Sequence, residues 1–214
     1  MKHITCYLDF ISPYAYLAFE RLPHALQGLG YSVTYKPVLF AALLKQNGQL
    51  GPAEIAGKRE WTYRQVAWLA REHGVALQMP SAHPFNPLAL LRLALACGDG
   101  PAINRHVGEA VFRHVWQGGG DAEDAARVTE LARRLQPRRS LDDPSLKTWL
   151  RQNTDEALAL GLFGVPTFVV DGQVFWGFDA LPVLRAWMQG DPWFASAAWT
   201  DAAQLPVAVQ RQTR

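Results

Sequence analysis

Two short stretches of the sequence carry residue types that could do chemistry, Ser12-Pro13 and Val165-Pro166-Thr167. Ser followed by Pro opens a helix. The hydroxyl caps orphan N–H groups, and Pro takes the first helical position, where its missing donor costs nothing. The same helix end carries partial positive charge and favours an anion. Pro166 stands just before an apolar run, where it cannot donate to a ladder, so it marks a strand entry. An X-Pro bond is also the common site of a cis peptide, and a cis bond there would present the Val165 backbone to whatever lies opposite. Other reactive types are scattered. Cys6 and Cys97 have neither C-x-x-C nor metal-ligand spacing and read as small buried hydrophobes. Ser12 has no neighbouring His to act as its base, which disfavours covalent serine catalysis.

The elements that must position these residues follow from pattern and punctuation. His3 to Phe10 reads as a strand, Tyr14 to Leu26 as a helix with Pro23 as a kink or break, and Tyr31 to Leu39 as a second strand. A β-α-β order implies a parallel pair. Residues 40–161 read as a helical block: Phe40 to Gln46, Lys58 to His73, Leu88 to Cys97, Ala102 to Gln117, a helix capped by Asp121 and running to Leu135, and Ser145 to Leu160. The runs on either side of Asp171-Gly172 make a hairpin, because both turn residues tolerate positive φ. A helix from Asp179 to Met188 follows, then a tail over 191–214 without a long element of its own. Without the helical block, the order β-α-β, β-β-α is that of a thioredoxin fold. The expected organisation is an α/β thioredoxin-like domain (1–39 and 162–190) interrupted by an all-helical insertion (40–161). In that fold the Ser12 helix end and the Pro166 loop face each other.

Composition narrows the classes. A chain of 214 residues with 49% hydrophobic and 19% charged residues is ordinary for a globular protein, and a net charge of +2 with no basic run gives no support for nucleic-acid binding. There is no signal-peptide pattern and no run of 18 apolar residues, so a cytoplasmic protein without a membrane span is expected.

Four segments together resemble the 2-hydroxychromene-2-carboxylate isomerases and kappa-class glutathione transferases of the thioredoxin-fold superfamily. They are Asp9-Phe10-Ile11-Ser12-Pro13-Tyr14-Ala15-Tyr16-Leu17-Ala18, Gly48-Gln49-Leu50-Gly51-Pro52, Val111-Phe112-Arg113-His114-Val115-Trp116, and Phe163-Gly164-Val165-Pro166-Thr167 through Trp176-Gly177-Phe178-Asp179. Redox members of the superfamily carry two cysteines where Ser12 and Ala15 stand here. Disulfide exchange needs an attacking and a resolving thiol, so that activity is disfavoured.

The resemblance implies glutathione as cofactor, with Ser12 donating to its sulfur. Val165 beside a cis Pro166 would pair with its backbone, Asp179 would meet its α-ammonium, and Gln49 its glycine end. Phe178 stands where relatives have a small polar residue, which removes one polar contact. For an acidic aromatic substrate, Lys45 is the matching cation, His83 and Asn86 resemble substrate-side positions, and Trp116 and His114 are further pocket candidates. Trp116 also suits core packing with its N–H capped, and His114 and His106 also suit a helix surface. No metal is implied. The implied activity is isomerisation by reversible thiolate addition, with glutathione recovered each turn. A kappa-type transferase or peroxidase, or a non-catalytic glutathione-binding protein, would use the same site. Relatives are dimers, so a homodimer is expected.

Overall fold

The computed structural model describes residues 1–209. The chain runs β1 (Lys2–Leu8), α1 (Pro13–Ala25), β2 (Tyr31–Pro37), six helices α2 (Phe40–Gln46), α3 (Lys58–Glu72), α4 (Leu88–Ala96), α5 (Arg105–Trp116), α6 (Ala125–Leu135) and α7 (Pro144–Ala159), then β3 (Thr167–Val170), β4 (Gln173–Trp176), α8 (Leu181–Gln189) and α9 (Ala197–Ala202). The four strands form one mixed sheet in the order β2-β1-β3-β4. β1 pairs parallel with β2, Cys6 opposite Tyr35, and antiparallel with β3, Cys6 opposite Phe168. Residues from the two ends of the chain therefore meet on the central strand. The β3–β4 turn places Asp171 at φ 52 and Gly172 at φ 77, the conformation a tight hairpin requires. This is the thioredoxin-like α/β fold expected from the element order, with the helical block between β2 and β3.

Burial explains why the sheet holds its register. Ile4, Cys6 and Leu8 alternate into a core shared with Leu17, Phe19 and Leu22 of α1 and Phe112 of α5. Tyr7, on the other face, packs with Val38, Leu43, Ala157 and Val165. The Tyr7 hydroxyl donates to Glu156 at 2.6 Å, and Lys36 pairs with the same carboxylate.

Several boundaries differ from the sequence reading, each for a local reason. Pro23 does not break α1, because it falls in the last turn. The carbonyl its missing N–H would have paired, Phe19 O, instead accepts from Arg105 Nη1 at 3.1 Å. Asp121 does not cap α6. It accepts from Glu123 N, and Asp124 is the cap, accepting from Arg127 N at 2.8 Å. α5 starts later than expected because Asn104 caps it, accepting from Val107 N. Asp179 does not cap α8, which opens at Leu181 after Ala180. That leaves the Asp179 carboxylate outside the helix it was expected to start.

Candidate functional site

A cleft of about 1770 Å³ lies between the β1–α1 turn, α2, α3, the loop before β3 and the loop after β4. Ser12 is built into its wall from two directions. As the N-cap of α1 its Oγ accepts from Ala15 N at 3.2 Å. From across the cleft Val165 O accepts from the Ser12 hydroxyl at 3.3 Å, joining residues 153 apart in sequence. The Val165–Pro166 peptide is cis. The next carbonyl, Pro166 O, accepts from Gly177 N at 2.9 Å, which ties the end of β4 to this loop. Among the cleft-lining backbone donors with no acceptor among the described residues are Val165 N–H and Tyr14 N–H. A buried N–H without a partner is uncommon, and Val165 is only 6% exposed.

Under this wall lies Asp9, fully buried. Its Oδ1 accepts from Ile11 N at 3.2 Å and its Oδ2 from Phe40 N at 3.0 Å, so one carboxylate joins the Ser12 turn to the start of α2. Burial pushes its pKa up from 3.8 to about 7, and the backbone N–H groups around it oppose that rise. His83 braces the same turn from α3's side. Its Nε2 lies 2.8 Å from Ile11 O and its Nδ1 2.7 Å from the Tyr63 hydroxyl. A carbonyl can only accept, so Nε2 carries the proton and Nδ1 receives that of Tyr63. Burial holds the His83 pKa below its ordinary value, which keeps this neutral form.

The remaining expected residues divide. Gln49, Phe178 and Asp179 line the cleft with Ser12, His83 and Val165. Asp179 is exposed and forms no ion pair among the described residues. Phe178 packs edge-on against His73 at 5.0 Å between ring centres, and its carbonyl accepts from Leu181 N. His83 lines the cleft with both ring nitrogens already bonded, so it positions the Ser12 turn and has no free nitrogen for a substrate.

Three expected substrate contacts are not brought to the cleft. Lys45 is exposed on a face of α2 outside it, while Phe40, Ala41 and Leu44 of the same helix line it. Asn86 makes a local turn, its Oδ1 accepting from Leu88 N at 3.1 Å. Trp116 is wholly buried, its Nε1 donating to Phe10 O at 2.9 Å, so it is core. His114 is also buried, 3.1 Å from Ala122 O, and His106 is exposed; neither lines the cleft.

Sequence reasoning missed Lys58, Tyr14 and Trp176, all of which line the cleft. The Tyr14 hydroxyl donates to Gln65 Oε1 at 2.7 Å. Burial raises its pKa, and the nearby Asp179 carboxylate adds to that. Trp176 packs against Phe163 at 4.8 Å and sits over Gly164, where a Cβ would collide with the indole nitrogen. Tyr14 and Trp176 stand within the segments that carry the resemblance, which was their only signal, and for Lys58 there was none.

The cysteines complete the chemical inventory. Ser12 and Ala15 occupy the two positions a dithiol would need. Cys6 is buried and desolvation drives its thiol pKa upward, while burial takes that of Cys97 to about 11. Neither is a poised thiolate.

Residues 3–189 match the model of the DSBA-like thioredoxin domain. The chain belongs to this DSBA-like family. The curated relatives it resembles include a 2-hydroxychromene-2-carboxylate isomerase of Sphingobium xenophagum, 27% identical over 87% of this chain and 98% of that protein. Glutathione S-transferase kappa 1 of Rattus norvegicus is 25% identical over 94% of this chain and 97% of that protein. Among solved structures, a selenomethionine 2-hydroxychromene-2-carboxylate isomerase superposes with a TM-score of 0.76 at 21% identity, covering 95% of this chain and all of that one. That likeness is one of fold. This DSBA-like chain carries a serine and an alanine at positions 12 and 15 of the α1 start.

Proposed function

We propose that the protein is a glutathione-dependent isomerase acting on acidic aromatic compounds of the 2-hydroxychromene-2-carboxylate type. The reading rests on one observation above all: the Ser12 hydroxyl meets the Val165 carbonyl across a cleft whose nearby Val165 and Tyr14 N–H groups have no partner among the described residues. Extended peptide backbone fits such an edge, as an added strand. Ser12 can donate to a sulfur by turning its proton away from Val165 O, and Asp179 can receive an α-ammonium. Lys58, which lines the cleft, takes the role expected of Lys45 toward a substrate carboxylate.

Bound glutathione supplies a thiolate that adds reversibly to a conjugated carbon of the substrate and leaves once the adjacent bond has rotated, with no net redox change. The chain's task is to make that thiolate available. A thiol near 8.5 must fall by roughly 2 units, or ~2.7 kcal/mol, to be largely ionised at neutral pH. A hydrogen bond to a charged acceptor is worth ~1.5–3 kcal/mol and a helix N-terminus ~0.3–2 kcal/mol. Ser12 and α1 together meet the requirement. Asp9 and His83 hold the turn that presents them.

The test is the Ser12→Ala variant. Its glutathione thiol should titrate about 1–2 units higher by ultraviolet thiolate absorbance, and turnover should fall roughly 10- to 150-fold. Unchanged values of both would overturn the Ser12 assignment. The rat kappa relative favours a second reading, glutathione transfer at the same site. Product analysis separates the two, because transfer consumes glutathione and isomerisation returns it. In this proposal the protein works as a homodimer in the reducing cytoplasm. Exposed Trp61 and Trp68, two turns apart on α3, support the dimer.

A further inference from the structure

The cleft is longer than a tripeptide. Its α1 wall runs from Ser12 past Tyr14 and Arg21 to Ala25, about 20 Å at 1.5 Å per residue. Glutathione, whose γ-glutamyl link adds two carbons to a tripeptide chain, spans roughly 13 Å fully extended. Arg21 is nine residues beyond Ser12 along the same helix, about 13 Å; Phe178, next to Asp179, packs on His73, whose carbonyl accepts from Arg21. The far limb thus begins about 13 Å beyond Ser12 along α1.

That limb has a chemistry of its own. Arg21, His24, His73 and Arg185 line it, and none of the cleft's carboxylates, Asp9, Glu54 and Asp179, pairs with either arginine among the described residues. Both arginines lack a carboxylate partner among the described residues, although both are only partly exposed. Each is fixed by carbonyl oxygens instead. Arg21 donates to His73 O at 3.3 Å, and Arg185 Nη1 donates to Ala25 O at 2.7 Å and Gln27 O at 3.0 Å. These bonds use only part of each five-donor fork. Arg21 Nη2 also lies 2.8 Å from His24 Nδ1. A guanidinium can only donate, so Nδ1 accepts and Nε2–H is left as a further donor. The limb therefore presents pre-set donors and positive charge that no carboxylate neutralises by pairing, the arrangement that recognises phosphate or a carboxylate pair.

We propose that the far limb, centred on Arg21 and Arg185, is a binding site for a phosphate- or carboxylate-bearing group. The site is separate from the Ser12 end and does not depend on the thiol reading. The anion could belong to a long thiol ligand that also reaches Ser12, or to a separate small molecule.

Calorimetry on the full chain tests this with inorganic pyrophosphate as the probe. Saturable binding is expected that weakens at least 10-fold in Arg21→Gln and in His24→Glu, with glutathione binding unchanged. His24 is exposed, so its variant leaves the fold and the Arg185 cap alone. Ser12→Ala should bind pyrophosphate as the wild type does, which keeps this test apart from that of the thiol site. Coenzyme A, a thiol with phosphates at the far end of a long arm, distinguishes the sources. Displacement of glutathione by coenzyme A assigns the anion to a thiol ligand; pyrophosphate binding additive with glutathione assigns it to a separate one. Absence of pyrophosphate binding, or equal affinity in the wild type and both variants, overturns the proposal.

Discussion

The Asp9 carboxylate is a charge that the fold holds at a cost. Its folded pKa of about 7 lies above the unfolded 3.8, so between those values the native state binds the proton more readily. Its contribution to stability is complete below about pH 4 and is lost as pH rises through 7. In denaturant unfolding, the advantage of wild type over Asp9→Asn should therefore shrink by about 2–4 kcal/mol from pH 4 to pH 7.5. A constant difference across that range would show that Asp9 does not titrate there. Asp9 belongs to the motif around Ser12, yet nothing in a sequence distinguishes a buried carboxylate under a turn from an exposed one beside it. Ser12 was legible because a Ser-Pro pair has one dominant local use. Lys45 misled because helical periodicity without a partner does not say which of two adjacent faces meets a cleft.

At the scale of elements, α1 survives Pro23 because another helix supplies the missing donor. Removing Arg105 should uncover the fact. Arg105→Met leaves Phe19 O buried and unpaired and should cost about 1–3 kcal/mol, including the guanidinium's contact with the Phe19 ring at 4.4 Å. Adding Pro23→Ala restores an N–H in the right place and should recover about 1 kcal/mol; thermal melts of the single and double variants read the coupling. The loop before β3 offers a second test. Gly164→Ala pushes a methyl group into the Trp176 indole, so it should weaken glutathione binding, and Trp176→Ala in the same chain should restore it. The hairpin and the opening β-α-β unit were readable from turn chemistry and periodicity. The caps of α6 and α8 were not, because two Asp residues stand near the start of α6 and α8 opens after Ala180 without a side-chain cap, choices that only packing makes.

Across the whole molecule, a DSBA-like fold is combined with two cysteines, Cys6 and Cys97, that lie far apart in sequence. Insulin reduction by this protein should therefore be blank even with excess reductant, and Ser12→Cys should not restore it, since Ala15 still supplies no resolving thiol. The order of the strands bears on how the protein is made. β1 sits in the middle of the sheet, between a neighbour about thirty residues away in sequence and another that follows the entire helical block. During synthesis the nascent chain can close β1 on β2 early, but the second side of that strand waits until residue 170 has left the ribosome. Loop closure over about 160 residues, from Tyr7 to Thr167, is slow and leaves an unpaired edge in the meantime. Such an edge is a natural client for holding chaperones, and a chain cut short anywhere in the helical block would present it permanently.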